Sequence, residues 1–298
     1  MNNINITFVT DSNYLLYTLC ALESVLENTD SVIDCQILTN SQINDKLTRK
    51  IEEYKELNPK LNLKIFEIDN SFIDNVITKS YVSNAAYIKI LIPEILADIS
   101  KTIYLDSDLI LNNDIELLWR LGFSHEFPIA ASEDPAYIYD HQIIGLQRNE
   151  VAFNSGVMCL NLDLMRKLSS KDKLIRFIKE KNHLTVLNDQ PAFNSVFINN
   201  WKCLPKEWNF LDTYFFERDN AIYASRKSII HFSGPAKPWK YRCAHPYKKQ
   251  YLNYYGKISS TQNLFKDKSF IDTLKKLRDG LLLTRYYIFE MRYRDRNE

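Results

Sequence analysis

Along the first 120 residues the apolar positions switch repeatedly between two periods. Ile4 to Thr10 reads as a short buried strand, and Leu15, Leu19, Leu22 and Leu26 then recur at helical spacing, predicting a helix from about Asn13 to Glu27 with one apolar stripe. Asp34 to Thr39 reads as the next strand, Ile43, Leu47, Ile51 and Tyr54 mark a second amphipathic helix, and Leu63 to Ile68 alternates as a strand. Ser83 is placed as the cap of a helix carrying Ala86, Ile90 and Leu91, which should stop near Pro93 because proline disfavours helix in the residue before it. Lys101 to Leu111 reads as one strongly apolar strand interrupted by two aspartates. Strand and helix in alternation are the signature of an α/β class with a mostly parallel sheet covered by helices.

The second half is less regular. Strands are expected at Pro128 to Ser132, Val157 to Leu162 and Ser228 to Phe232, and helices at Leu162 to Lys179 and Gln190 to Ile198. No linker stands out before about residue 260, so the expected partition is one domain over 1–256 and a basic, aromatic-rich helical appendage over 257–298.

Composition narrows the function. The chain has 6 glycines in 298 residues and the first is Gly122, so no GxGxxG or P-loop can follow an early strand. Five widely spaced cysteines without a CxxC pair indicate free thiols in a reducing compartment. The N-terminus lacks the basic and apolar regions of a secretory signal, and no run is long enough to span a membrane, so a cytoplasmic location is expected. Charge is uneven beneath a net +1: residues 237–298 hold 15 Lys/Arg against 6 Asp/Glu, and residues 1–236 hold 23 against 31. An acidic body and a basic tail without a recognition motif speak against nucleic acid. The tail suits either a solvated helical face or an anionic membrane surface.

Five stretches carry candidate chemistry. In Tyr104-Leu105-Asp106-Ser107-Asp108-Leu109-Ile110-Leu111, strand alternation would send Asp106 and Asp108 to one side, and two carboxylates leaving an apolar segment become stable together around a divalent cation. His231-Phe232-Ser233-Gly234-Pro235-Ala236-Lys237-Pro238-Trp239 adds an imidazole, a tight turn and a lysine; a mixed N/O donor set suits Mn²⁺, and Gly234 and Lys237 suit a phosphate. Thr10-Asp11-Ser12-Asn13-Tyr14 follows the first strand at its carboxyl end, where open α/β sheets bind ligands. Asn154-Ser155-Gly156 precedes a strand, and Asn188-Asp189-Gln190 opens a helix. Read singly, each has a plainer alternative: a solvated strand end, a core histidine, a turn or a cap.

Together, in this order, the five stretches resemble glycosyltransferase family eight, the retaining enzymes of GT-A fold, over about residues 4 to 255, and are similar to its bacterial lipooligosaccharide and lipopolysaccharide galactosyl- and glucosyltransferases. The resemblance implies a nucleotide-sugar-binding GT-A fold in which Asp106, Asp108 and His231 hold Mn²⁺, with Mg²⁺ as the alternative ion. It places Thr10, Asp11, Asn13, Tyr14, Lys89, Ser107, Gly234 and Lys237 on a UDP-glucose or UDP-galactose donor, and Asp134, Asn154, Asp189 and Gln190 around the transferred sugar. The implied reaction moves glucose or galactose to a cell-surface glycan, the lipopolysaccharide or lipooligosaccharide core, from a site peripheral to the inner face of the cytoplasmic membrane. Two alternatives keep part of this: a protein acceptor, whether an adhesin or the enzyme itself, and a noncatalytic nucleotide-sugar-binding protein.

Overall fold

Among the described residues the strands assemble into two sheets. The computed structural model describes residues 3–69, 84–135, 141–147, 150–181, 184, 189–212, 228–235, 237–261, 264–265, 269–278 and 281. Its elements are β1 (Ile4–Thr10), α1 (Leu15–Glu27), β2 (Ile33–Thr39), α2 (Asp45–Leu57), β3 (Leu61–Glu67), a 3-10 helix (Asn84–Leu91), α3 (Ile92–Ile95), β4 (Lys101–Leu105), β5 (Leu109–Leu111), α4 (Ile115–Gly122), β6 (Ile129–Glu133), α5 (His141–Ile144), β7 (Phe153–Asn161), α6 (Leu162–Lys167), α7 (Ser170–Lys181), α8 (Gln190–Val196), β8 (Lys202–Leu204), a second 3-10 helix (Lys206–Asn209), β9 (Phe210–Leu211), β10 (Ile229–His231) and α9 (Lys248–Ile258). Residues 270–278 are also helical.

Seven strands form the central sheet in the order β3-β2-β1-β4-β7-β6-β8. β3, β2, β1 and β4 are parallel, and β7 runs antiparallel to both β4 and β6. That reversal matters for the site. The start of β7 lies at the edge where β1 and β4 finish, with Leu105 opposite Val157, so Asn154 to Gly156 arrive beside Asp106. A small sheet, β5-β10-β9, pairs His231 with Leu109. Ile4, Ile6 and Phe8 of β1 pack with Leu15, Leu19 and Leu22 of α1 and Ile51 of α2. The opposite face of the central sheet is covered by the first 3-10 helix, α3 and α6 to α8, through Ile88, Ile92, Met165, Leu174 and Phe193. A third cluster joins β9, β10 and α9 through Phe210, Ile230 and Tyr251. All five cysteines are free, four of them buried.

Four expectations need correction. The run Lys101–Leu111 is two strands in different sheets, with Asp106 to Asp108 as the turn between them. Both strands are buried on all sides, so their apolar run is continuous and periodicity cannot reveal the break. The helix carrying Ile90 and Leu91 ends at Leu91, near Pro93 as expected, but it is a 3-10 helix and α3 follows at once, with Pro93 in its first turn, where a missing N–H costs nothing. The helix expected over 162–179 is two, parted at Ser169, whose φ is +50°. Asn154 to Gly156 lie inside β7 and not before it. Ser83 and Asn188 fall outside the described residues.

Candidate active site

The aspartate turn is anchored from both sheets. Asp106 N–H donates to Gly156 O at 2.8 Å, and Phe232 N–H donates to Asp108 O at 2.9 Å. The two carboxylates converge because the chain turns between sheets there, not because a strand alternates. Each divides its oxygens between two tasks. Asp106 Oδ1 takes Lys89 Nζ at 3.1 Å and the Tyr104 hydroxyl at 2.5 Å, while Oδ2 lies 3.8 Å from His231 Nε2. Asp108 Oδ2 takes Lys237 Nζ at 2.5 Å, while Oδ1 lies 3.3 Å from the same imidazole nitrogen. Outer oxygens are thus neutralised by ammonium groups, and inner oxygens face one another across the imidazole.

The inner atoms fit a small divalent cation. One ligand atom each from Asp106, Asp108 and His231 lie within 4.8 Å of one another. Ligands at about 2.1 Å from an ion and at right angles stand about 3 Å apart; Asp108 Oδ1 is near that separation from His231 Nε2 at 3.3 Å, and Asp106 Oδ2 at 3.8 Å would have to close in slightly. Burial pulls the Asp108 carboxyl up, but Lys237 and His231 outweigh it and hold that group well below the usual carboxylate range. Burial pulls the His231 imidazole down, and Asp108 more than reverses this, so its pKa is raised.

Gly156 makes the convergence possible. A methyl group there would lie 2.2 Å from His231 Cε1 and 2.8 Å from Asp106 Oδ2. Gly156→Ala must therefore push the imidazole off the aspartates, and a displacement of this kind is expected to cost about 10²-fold in turnover. Assaying the variant beside its thermal midpoint checks this; full activity with unchanged stability would contradict it.

Lys89 is the buried hinge between two carboxylates. Its Nζ lies 2.9 Å from Asp189 Oδ2, 3.1 Å from Asp106 Oδ1 and 4.6 Å from the Tyr104 ring centre. Burial lowers its pKa, and the two aspartates outweigh that and raise it. Ser155 Oγ donates to the same Asp189 oxygen at 3.0 Å. Gln190 Oε1 accepts from Ser155 N–H and Asn154 Nδ2, both at 3.2 Å, and Gln190 Nε2 donates to Asp134 Oδ2 at 3.0 Å. Asp134, Asn154, Asp189 and Gln190 are therefore one connected cluster.

The remaining expected residues surround the same edge. Asp11 Oδ1 accepts from the N–H groups of Asn13 and Tyr14, the turn-forming role an aspartate favours ahead of a helix. Thr18, which nothing in the sequence marked, links Thr10 Oγ1 at 2.9 Å to Ser107 Oγ at 2.8 Å. Tyr14, 41% exposed, meets Tyr17 and Trp239 edge-on, and those two stack at 3.9 Å. Lys237 also donates to Phe232 O at 2.7 Å. Gly234 N–H donates to Asp212 Oδ2 at 2.8 Å, and a methyl at Gly234 would meet that same oxygen. The glycine is thus required by Asp212, a neighbour the sequence motif does not announce.

Comparison with known proteins bears on the fold and the family. Residues 5–243 match the family model of glycosyl transferase family 8. The chain is 28% identical over 267 residues to general stress protein A of Bacillus subtilis strain 168, covering 84% of this chain and 92% of that protein. It is 25% identical over 303 residues to the lipopolysaccharide 1,2-glucosyltransferase of Escherichia coli K12, covering 96% and 87%. Among solved structures it is similar to the galactosyltransferase LgtC in complex with donor and acceptor sugar analogues, with a TM-score of 0.75, 22% identity, and 86% and 97% of the two chains covered. At that identity the likeness shows a shared GT-A fold.

Proposed function

The chain belongs to glycosyl transferase family 8, a family of glycosyltransferases, and from that premise we propose that it is a Mn²⁺-dependent retaining hexosyltransferase moving glucose or galactose from a UDP-sugar to a lipopolysaccharide or lipooligosaccharide core. The observation that carries this reading is the set of three inward-facing donors, Asp106, Asp108 and His231, with both outer carboxylate oxygens already held by lysines. The acceptor follows the similarity to the Escherichia coli lipopolysaccharide glucosyltransferase.

Asp106, Asp108 and His231 would hold the cation, which would supply Lewis-acid stabilisation of charge on the departing diphosphate. The chain's own groups do the rest. Lys237, on a flexible stem beside Asp108, is placed to give its charge to the diphosphate, the electrostatic contribution that usually dominates such catalysis. The Thr10–Tyr14 segment, with the exposed Tyr14 ring, offers a face for the nucleobase. Asp134, Asn154, Asp189 and Gln190 orient the sugar. Gln190 Oε1 already accepts two hydrogen bonds, and an amide so engaged is a poor nucleophile, which favours same-face attack with the leaving phosphate as base. The test is hydrolysis and transfer across a panel of UDP-sugars with Mn²⁺ and with chelator. Turnover of UDP-glucose or UDP-galactose that chelator abolishes is expected; turnover indifferent to chelator, or none with either donor, would contradict the reading.

The basic segment from residue 257, which we treat as an appendage to the domain of 1–256, is proposed to rest on the cytoplasmic face of an anionic membrane. Among the described residues no helix is long and apolar enough to cross a membrane. Phe270, Leu274 and Leu277 recur at spacings of four and three on the helix of 270–278 and are 78, 52 and 60% exposed, so apolar side chains face outward beside Lys275, Lys276 and Arg278. Anionic phospholipid vesicles should sediment the full chain at low salt and release it at high salt, and the Leu274→Glu/Leu277→Glu variant should stay in solution. Binding indifferent to both would overturn the assignment.

A further inference from the structure

A second amide, remote from every sequence motif, joins the two halves of this site. Asn209 ends the second 3-10 helix, fully buried, just before β9. Its Oδ1 lies 2.8 Å from His231 Nδ1, and its Nδ2 donates to Asn154 Oδ1 at 2.9 Å. Asn154 Oδ1 also accepts from Gly156 N–H at 2.9 Å, and Asn154 Nδ2 donates to Asp134 Oδ2 at 3.1 Å and Gln190 Oε1 at 3.2 Å.

The direction of every bond in this chain follows from one group that cannot reverse. The Gly156 N–H can only donate, so the Asn154 atom facing it is the carbonyl oxygen. The Asn209 atom facing that oxygen must then be the amide nitrogen, which leaves the Asn209 carbonyl against His231 Nδ1. An acceptor there requires Nδ1 to carry the proton. In the neutral ring the lone pair consequently sits on Nε2, the atom that faces Asp106 and Asp108. Ser155 N–H fixes Gln190 in the same way, so the orientations of Asn154 and Gln190 are both set by backbone.

We infer that Asn209 is a positioning residue of this site: its amide holds His231 in the ligating tautomer and ties that ligand to the Asn154–Asp134–Gln190 cluster. The inference rests on Asp106, Asp108 and His231 holding a cation. Partners of a ligating histidine's second nitrogen typically govern metal affinity by 10–100-fold. The amide link further means that the imidazole and the sugar-side cluster cannot shift independently.

Mn²⁺ affinity in the presence of UDP, read by electron paramagnetic resonance on the full chain, tests this with four proteins. The unaltered chain should bind the ion and His231→Ala should not. Asn209→Ala should bind about 10–100-fold more weakly. Asn209→Asp keeps an acceptor for Nδ1–H but sets a carboxylate oxygen against Asn154 Oδ1, so it should bind the ion at least as tightly as the unaltered chain while kcat falls. Asn209→Ala binding at full affinity, with His231→Ala unable to bind, would overturn the role of Asn209 and leave the cation site standing. Equal binding by the unaltered chain and His231→Ala would remove the cation site and this inference with it. Should Asn209→Ala fail to fold, Asn209→Asp decides, because affinity as low as that of His231→Ala would overturn the role.

Discussion

Asp108→Ala is expected to lower sugar transfer by about 10³-fold or more while the protein stays folded. The carboxylate does two things at once: Oδ1 faces His231 Nε2 at 3.3 Å and Oδ2 holds Lys237 at 2.5 Å. Its loss removes one of three cation donors and takes from Lys237 the carboxylate that holds it, leaving its hydrogen bond to Phe232 O. Metal stabilisation of a developing oxyanion is worth several kcal/mol, and each 1.36 kcal/mol is a factor of ten, which gives the size of the effect. The protein should stay folded because the backbone bond from Phe232 to Asp108 O survives, with a lowered thermal midpoint because Lys237 and His231 lose the carboxylate they face. Transfer rate and thermal midpoint measured together check both halves. Activity within tenfold of the unaltered chain would refute the role of Asp108.

Lys89→Met should act differently, on stability first. The ammonium is 5% exposed and is the shared counter-ion of Asp106 and Asp189, with Ser155 O a further acceptor at 3.5 Å. Methionine matches its length but leaves two carboxylates facing each other without a positive charge in a site largely closed to water. Removing one partner of a buried ion pair costs about 3–5 kcal/mol, because the remaining charge keeps its desolvation penalty. The variant should therefore unfold at markedly lower urea concentration and lose activity as well. A Lys89→Met protein as stable as the unaltered chain would show that Lys89 does not hold these carboxylates.

Two kinds of segment could be read from sequence. α2 and the first half of β3 bury one face and show its period, and β1, buried on both faces, shows as a short apolar run, found with the bounds Ile4–Thr10 that the run suggests. α9 escaped notice because the residues it buries are mainly tyrosines, Tyr251, Tyr254 and Tyr255, whose hydroxyls blur an apolar stripe. α4 is only eight residues long, although Asp114 caps it by accepting from Glu116 N–H. In the site, Asp106, Asp108 and His231 were legible because charged and imidazole side chains leaving apolar strands are scarce. Asn209, Thr18 and Asp212 were not, since their roles arise from contacts across 22 to 89 positions of sequence. Polar residues of that kind carry no periodicity, and only the fold shows what they hold.

A crystal soaked with Mn²⁺ and UDP, with the ion located by its anomalous scattering, tests the central claim most directly. The account requires one oxygen of Asp106, one oxygen of Asp108 and Nε2 of His231 as the protein ligands. An ion bound elsewhere, or these three groups standing apart around none, would contradict it.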